Sequence, residues 1–428
     1  MIDLSNSAST LVAIPRDKLG DRHETIGRSC VIALAGVALI AKLIIAWTTI
    51  GTNDVISFYR FGRSLATHGL EWTYVSDISF NHPPLVAAYL RLIYFLDQNP
   101  WLHENGIGFP LFLRLPGIVA DFVVVLALLN AAKELRLPLW SLAILALSPV
   151  SLMISGFHGN TDSIMVMFLV LAASMCLQDR PILSALFLAL SCQIKIIPLL
   201  VLPIFLCYWL HRRRVLFFTV PFLVTLVSFW ILPILKFPVA FLHRVLLYGS
   251  FWGIWGITYW LRLTGVKELS RVTYSHLLPL QQMIGAGLKL TIIGLVLLIA
   301  WRRRKLDGRG LFASLGWGWI IFFILSPGVC AQYLVWLMPF VLVLSPGFFV
   351  WLTAASSIFL FFFYNSISGG LPWYLAISTG NLTVEWVPWS LWPWLTLIAG
   401  ALLVWNRTLT ANPSFRLCSL DSINPTRL

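Results

Sequence analysis

Asp54, His82, His158, Asn160, Asp162, Lys195, Gln332 and Tyr333 are the side chains of this chain best suited to chemistry. A carboxylate takes a proton, a histidine orients or relays one, amides and phenols hold hydroxyls, and a lysine holds an anion. All sit in short polar motifs within apolar sequence: Gly51-Thr52-Asn53-Asp54, Asn81-His82-Pro83-Pro84, His158-Gly159-Asn160-Thr161-Asp162-Ser163, Gln193-Ile194-Lys195 and Gln332-Tyr333.

Each motif supports two readings. Asp54, directly after the first apolar run, is a general base whose pKa burial would raise, or a residue that begins a loop helix. The two prolines after His82 fix an extended turn before a helix and set a polar head over it, or simply open that helix. In the His158–Ser163 loop, Asn160 or Thr161 caps the next helix and Asp162 favours its positive end. The same geometry suits sugar hydroxyls or a phosphate. Metal binding by His158 and Asp162 lacks a third spaced ligand. Lys195 lies in a strongly apolar stretch, where a cation either serves an anionic partner or snorkels to the interface. Arg114 and Asp121 stand two helical turns apart on one face, and a structural ion pair is expected there, with Lys42 or Lys289 as the partner of Asp121.

The elements that carry these motifs follow from composition. The 428 residues are 59% hydrophobic and 11% charged, which no soluble domain matches. Apolar runs of about 17–22 residues recur, each long enough to cross hydrocarbon as a helix. They do not alternate as barrel strands do. The expectation is an all-α polytopic bundle of about twelve spans, near 29–50, 114–131, 138–155, 163–177, 181–194, 196–210, 215–236, 282–301, 311–326, 332–348, 349–366 and 389–405. Residues 1–28 read as a cytoplasmic segment, 29–405 as the membrane domain and 406–428 as a polar, disordered cytoplasmic tail. The first apolar run reads as a signal anchor, since no small-residue cleavage site follows it.

The net charge of +13 falls in clusters between apolar runs, such as Arg212-Arg213-Arg214 and Arg302-Arg303-Arg304-Lys305. That is positive-inside patterning, and it excludes nucleic acid as a partner. With both termini cytoplasmic, more than half of the 30 Lys and Arg residues lie inside. Every chemical motif then lies outside, together with Arg244 and Arg262. Residues 51–113 carry apolar positions at helical spacing, which predicts one or two interfacial helices. The aromatic Phe251–Trp260 stretch offers Trp252 and Trp255 for stacking on a sugar ring or prenyl chain. The six cysteines have no CxxC spacing and read as small buried hydrophobes.

Taken together, the motifs resemble the glycosyltransferase C superfamily, multispanning enzymes that take a sugar from a polyprenyl-phosphate carrier. Asp54 occupies the place of that family's usual catalytic base. His82-Pro83-Pro84-Leu85 looks like its Y/H-P-P-L turn. Gly159-Asn160-Thr161-Asp162-Ser163 resembles the G-N-x-D-S loop of GPI mannosyltransferases, and Gln332-Tyr333-Leu334-Val335-Trp336 their S-Q-Y-x-x-W segment. Arg114 to Asp121 and Gln193-Ile194-Lys195 are similar to glucosyl- and mannosyltransferases of lipid-linked oligosaccharide assembly. The resemblance covers roughly residues 40–345.

It implies transfer of mannose or glucose from a polyprenyl-phosphate sugar to a glycan or glycolipid acceptor, with inversion and Asp54 as base. Lys195, Arg244 or Arg262 would hold the leaving phosphate. Asn53, His82, His158, Asn160, Asp162, Gln332 and Tyr333 would complete the substrate site. Asn53-Asp54 stands in place of a D-x-D or D-E pair, so no metal or other cofactor is expected, and the lipid-phosphate sugar is a substrate. The alternative is a transporter or flippase of lipid-linked sugars, for which Lys42, Asp121 and Lys289 are the supporting residues. A bacterial inner membrane is the expected location; Asn381-Leu382-Thr383 would be a glycosylation site only in a eukaryote.

Overall fold

The computed structural model describes residues 16–247, 251–273, 277–377 and 386–410. The first fifteen residues, Asn381-Leu382-Thr383 and the tail beyond 410 lie outside the described residues. The described residues are all-α apart from one two-residue parallel ladder, Gly51–Thr52 with Leu375–Ala376, and an isolated antiparallel bridge between Trp252 and Thr273.

Among the described residues, eight helices are long and apolar enough to cross a membrane: Glu24–Thr48, Phe109–Asn130, Leu139–His158, Val215–Lys236, Pro279–Arg302, Gly308–Leu325, Pro346–Ser368 and Val387–Asn406. Four further apolar helices are shorter, Asp162–Leu177, Pro181–Ile194, Leu202–His211 and Ala331–Leu344. All four fall where sequence places a span. The difference from twelve rests on their length, 10–17 residues each, and a break from Lys195 separates Pro181–Ile194 from Leu202–His211. Pro84, Pro149, Pro181, Pro279 and Pro346 each open a helix. There the missing N–H costs nothing and the fixed φ suits the first turn.

Burial sorts the helices. Only 22% of the most apolar windows of Val215–Lys236 and Pro279–Arg302 is buried, against 61% for Leu139–His158 and 56% for Gly308–Leu325 and Pro346–Ser368. The first two therefore present Leu216, Phe217, Leu235 and Leu290 outward, as lipid requires. The other three are the more enclosed, and two of them carry site residues, His158 at the end of Leu139–His158 and Tyr364 in Pro346–Ser368. Two glycines with positive φ allow close crossings there. A Cβ on Gly51 (φ +100°) would stand 2.5 Å from the Phe157 carbonyl, and one on Gly159 (φ +81°) 2.4 Å from Val55.

The segment after the first span holds four helices rather than one or two: Asn53–Thr67, Gly69–Ser76, Pro84–Asp97 and Pro100–Glu104. Asn53–Thr67 buries Val55, Phe58, Phe61 and Leu65 on one face. Trp252 and Trp255 are not stacking surfaces. Both are fully buried, with indole N–H groups donating to the carbonyls of Leu269 and Phe323 at 3.0 and 2.7 Å.

Within the bundle, Lys42 Nζ meets Asp121 Oδ2 at 2.7 Å, the expected ion pair with Lys42 rather than Lys289 as partner. Ser151 and Ser155 also donate to that carboxylate. Arg114 does not join this pair. Its guanidinium instead turns to backbone carbonyls at the site.

Candidate active site

The first span ends at Thr48, and its last carbonyls have no helical partner. In a membrane they must be satisfied by protein. Arg114, 1% exposed, does this from the Phe109–Asn130 helix. It donates to Ala46 O at 2.9 Å, to Thr49 Oγ1 at 2.9 Å and to Thr49 O. The same guanidinium donates to Gly156 O at 3.0 Å and Phe157 O at 3.2 Å. A cation at a helix C-terminus also complements the helix dipole. Arg114 thus bolts the end of the first span to the π-helical turn Leu152–His158.

That bolt brings two motifs together. Thr52 Oγ1 donates to His158 O at 2.9 Å and accepts from Asp54 N at 3.2 Å, capping the Asn53–Thr67 helix. Asp54 Oδ2 then lies 3.0 Å from His158 Nε2, with Gln332 Nε2 at 3.4 Å. Asn53 precedes it in the same turn. His158 Nδ1 is 2.8 Å from the hydroxyl of Tyr364 on the Pro346–Ser368 helix. Both ring nitrogens of His158 are engaged, and Asp162 is bonded elsewhere, so the two do not converge as metal ligands.

Asp162 opens the next helix, fully buried. Its N–H donates to Asn160 Oδ1 at 3.0 Å. Its Oδ1 accepts from Trp336 Nε1 at 2.8 Å and lies 2.5 Å from Lys195 Nζ. Lys195, where the Pro181–Ile194 helix ends, sits 4.5 Å over the Tyr333 ring and 5.4 Å over Trp336. Those rings stack with centroids 4.1 Å apart. Asn160 Nδ2, Thr161 Oγ1 and Asp162 Oδ2 are buried with no hydrogen-bond partner among the described residues. Buried polar atoms left so are costly unless a ligand or water serves them.

His82 lies among Phe58, Phe61 and Phe80, and its carbonyl accepts from the Tyr74 hydroxyl at 2.6 Å. Burial, and then Lys195, push its pKa from 6.5 down to about 3 against the pull of Asp54, so the ring is neutral. Asp54 corrects an expectation. Burial is the largest influence and raises its pKa, but His158, Lys195 and His82 together outweigh it, and the carboxyl ends below its ordinary 3.8. Asp54 is an ionised carboxylate at neutral pH.

The expected residues divide. Asp54, His82, His158, Asn160, Asp162, Lys195, Gln332 and Tyr333 form one connected group, drawn from six elements. Arg244 and Arg262 do not touch it among the described residues. Arg244 lines an open apolar groove with Tyr74, Val75, Phe237 and Val239, and donates to Tyr74 O and Ile78 O at 3.4 and 3.5 Å. Arg262 lies 5.1 Å over Tyr259. Sequence reasoning missed Tyr364 and the roles of Arg114 and Trp336. Tyr364 is one aromatic in a Phe-rich run, and only its hydroxyl sets it apart.

The model of glycosyltransferase family 87 matches residues 80–327. Over 144 residues the chain is 30% identical to GPI mannosyltransferase 1 of Kluyveromyces lactis, a stretch that is 33% of each protein. The chain thus spans about a third of the length of the curated relative it matches. Asp54 and Tyr364 lie outside the family-matched span, yet both meet His158 within it, and Gln332, also outside, joins them through Asp54. With that match covering more than half of its 428 residues, and with eight membrane-length apolar helices, the chain is an integral membrane protein that belongs to glycosyltransferase family 87.

Proposed function

We propose that the protein transfers a hexose, mannose or glucose, from a polyprenyl-phosphate donor to a glycan or glycolipid acceptor, inverting the anomeric centre. One observation carries this reading. The connected group holds two carboxylates, and only Asp54 is reachable: its side chain is 32% exposed, against 0% for Asp162. In the proposed step Asp54 takes the proton of an acceptor hydroxyl. That oxygen bonds to the anomeric carbon, and the carbon–oxygen bond to the lipid phosphate breaks on the opposite face, its electron pair leaving with the phosphate. Lys195, 18% exposed, stabilises that leaving charge. Asn160, Gln332 and Tyr333 hold sugar hydroxyls, for which the unpartnered Asn160 Nδ2 is the support, and the enclosed Asp162 carboxylate holds Lys195 in place. The groove beside Arg244 is assigned to the prenyl chain.

The same reading keeps twelve crossings, with the four short helices completing the count. It places both termini in the cytoplasm and the site on the extracytoplasmic face of a bacterial inner membrane. Charge distribution is the support. A flippase reading draws on the buried Lys42–Asp121 pair, a costly feature that often marks transport.

The test is transfer of radiolabelled sugar from a panel of polyprenyl-phosphate sugars to lipid-extract acceptors by the purified protein. Transfer from one donor, lost in Asp54→Asn at equal expression, is expected. An active Asp54→Asn sinks the mechanism. A folded protein that binds these lipids, transfers from none and moves them across vesicles would establish the flippase instead.

A further inference from the structure

We infer that Tyr364 is a positioning residue of the transfer reaction: its hydroxyl fixes which nitrogen of His158 carries the proton, and so holds Asp54 as an oriented, anionic base. The inference rests on Asp54 being that base, and goes on to name what controls it.

The geometry is a three-membered chain. Tyr364 Oη is 2.8 Å from His158 Nδ1, and His158 Nε2 is 3.0 Å from Asp54 Oδ2. An ionised carboxylate only accepts, so the ring must present N–H at Nε2. A neutral imidazole then has a lone pair at Nδ1, and that lone pair needs a donor. The phenol is the donor in reach, and among the described residues its hydroxyl has no other partner. Tyr364 is fully buried, its ring edge-on to Phe157 at 5.5 Å and tilted against Trp373 at 5.5 Å, so the ring and its hydroxyl oxygen are held in place beside His158.

The surroundings make this assignment matter. The groups facing His158 and Asp54 come from every neighbouring element: Arg114 from the Phe109–Asn130 helix, His82 from the loop before Pro84, Asp162 after the π turn, Lys195, then Cys330 and Tyr333. Without the phenol, the ring is free to move its proton to Nδ1 and turn a lone pair on the carboxylate. That lone pair repels Asp54 and removes the hydrogen bond from His158 that helps hold its pKa below the ordinary value. The change leaves the substrate pocket intact and damages only the chemical step.

Tyr364→Phe keeps the ring and removes the hydroxyl. The assay is transfer from whichever polyprenyl-phosphate sugar of the panel is active, with kcat, donor KM and a pH profile of kcat. Three results are expected. The kcat falls by about 10- to 100-fold, while donor KM stays within about twofold. The acidic edge of the profile moves up by about one pH unit or more. His158→Phe is at least as slow, and the double variant is no slower than His158→Phe alone, because Tyr364 acts through His158.

Wild-type kcat and profile in Tyr364→Phe would overturn the inference. So would an equal loss at every pH, or effects of the two variants that multiply, since either marks a merely structural tyrosine. Asp54→Asn separates this failure from that of the base: if it is inactive while Tyr364→Phe is unaffected, the base stands and the tyrosine's role falls. If Asp54→Asn is active, the base reading falls and takes the inference with it.

Discussion

Removal of the Arg114 guanidinium tests whether one buried cation builds the site. In Arg114→Met, Ala46 O, Thr49 O, Thr49 Oγ1, Gly156 O and Phe157 O lose their donor together. A buried polar group stripped of its partner costs about 1–3 kcal/mol, and bonds to a charged donor lie towards the upper end. Some of these acceptors will find water at the end of the span, so about 4–6 kcal/mol is expected rather than the full sum. Arg114→Lys keeps the charge but offers three donors from one nitrogen, in no fixed fork. It should lose about half as much. Activity should fall further than stability suggests, because Arg114 sets the spacing of Asp54 from His158. A displacement of about 1 Å in a catalytic group costs on the order of 100-fold. Thermal unfolding in detergent and kcat/KM at a temperature where each variant is folded would measure the two effects. An Arg114→Met protein within about 1 kcal/mol of wild type and fully active refutes the argument.

Other expectations follow from the charges. Lys195→Met leaves the fully buried Asp162 carboxylate without its cation, which should cost about 3 kcal/mol or more. The double variant Lys195→Met/Asp162→Asn should regain most of that stability in a melting assay while donor transfer stays lost; if transfer returns, Lys195 does not hold the phosphate. His82 has its folded pKa lowered from 6.5 to about 3. Its neutral native ring competes with a protonated unfolded one below 6.5, so stability present above that pH declines towards 3, by about 1.4 kcal/mol per unit. Melting temperatures of wild type and His82→Asn should converge in their pH dependence above 6.5 and diverge below it; parallel curves would refute this. Asp54, lowered below 3.8, contributes stability above that pH which is lost as pH falls through its folded value. Transfer should accordingly show no loss from Asp54 protonation until the pH is below 3.8.

Much of this was legible because membrane sequence is restrictive. Polar residues are costly among apolar runs, so Asp54, His158, Asp162 and Lys195 stand out, and they do meet. The Lys42–Asp121 pair was readable on the same ground. Three things were not. Arg114 binds backbone carbonyls, which no side-chain pattern reveals; its seven-residue spacing from Asp121 suggested a different partner. The pKa of Asp54 was read from burial alone, whereas its sign is decided by His158, Lys195 and His82, brought in from distant segments. Tyr364 follows Phe361-Phe362-Phe363, where a tyrosine reads as one more core aromatic. Trp252 and Trp255 failed in the opposite direction, since conspicuous aromatics proved to be packing.

The short ladder between Gly51–Thr52 and Leu375–Ala376 has a consequence for biogenesis. Asp54 emerges from the ribosome early, and Tyr364 and the Leu375 strand only some 310 residues later. At about 5–20 residues per second, that interval is roughly 15–60 s. Throughout it the strand edge at Gly51 is unpaired and His158 has no phenol to meet. The earlier helices must therefore wait in the membrane as an open half-structure, exposed to proteases and chaperones, and the last third of the chain acts as the clasp that ends the wait.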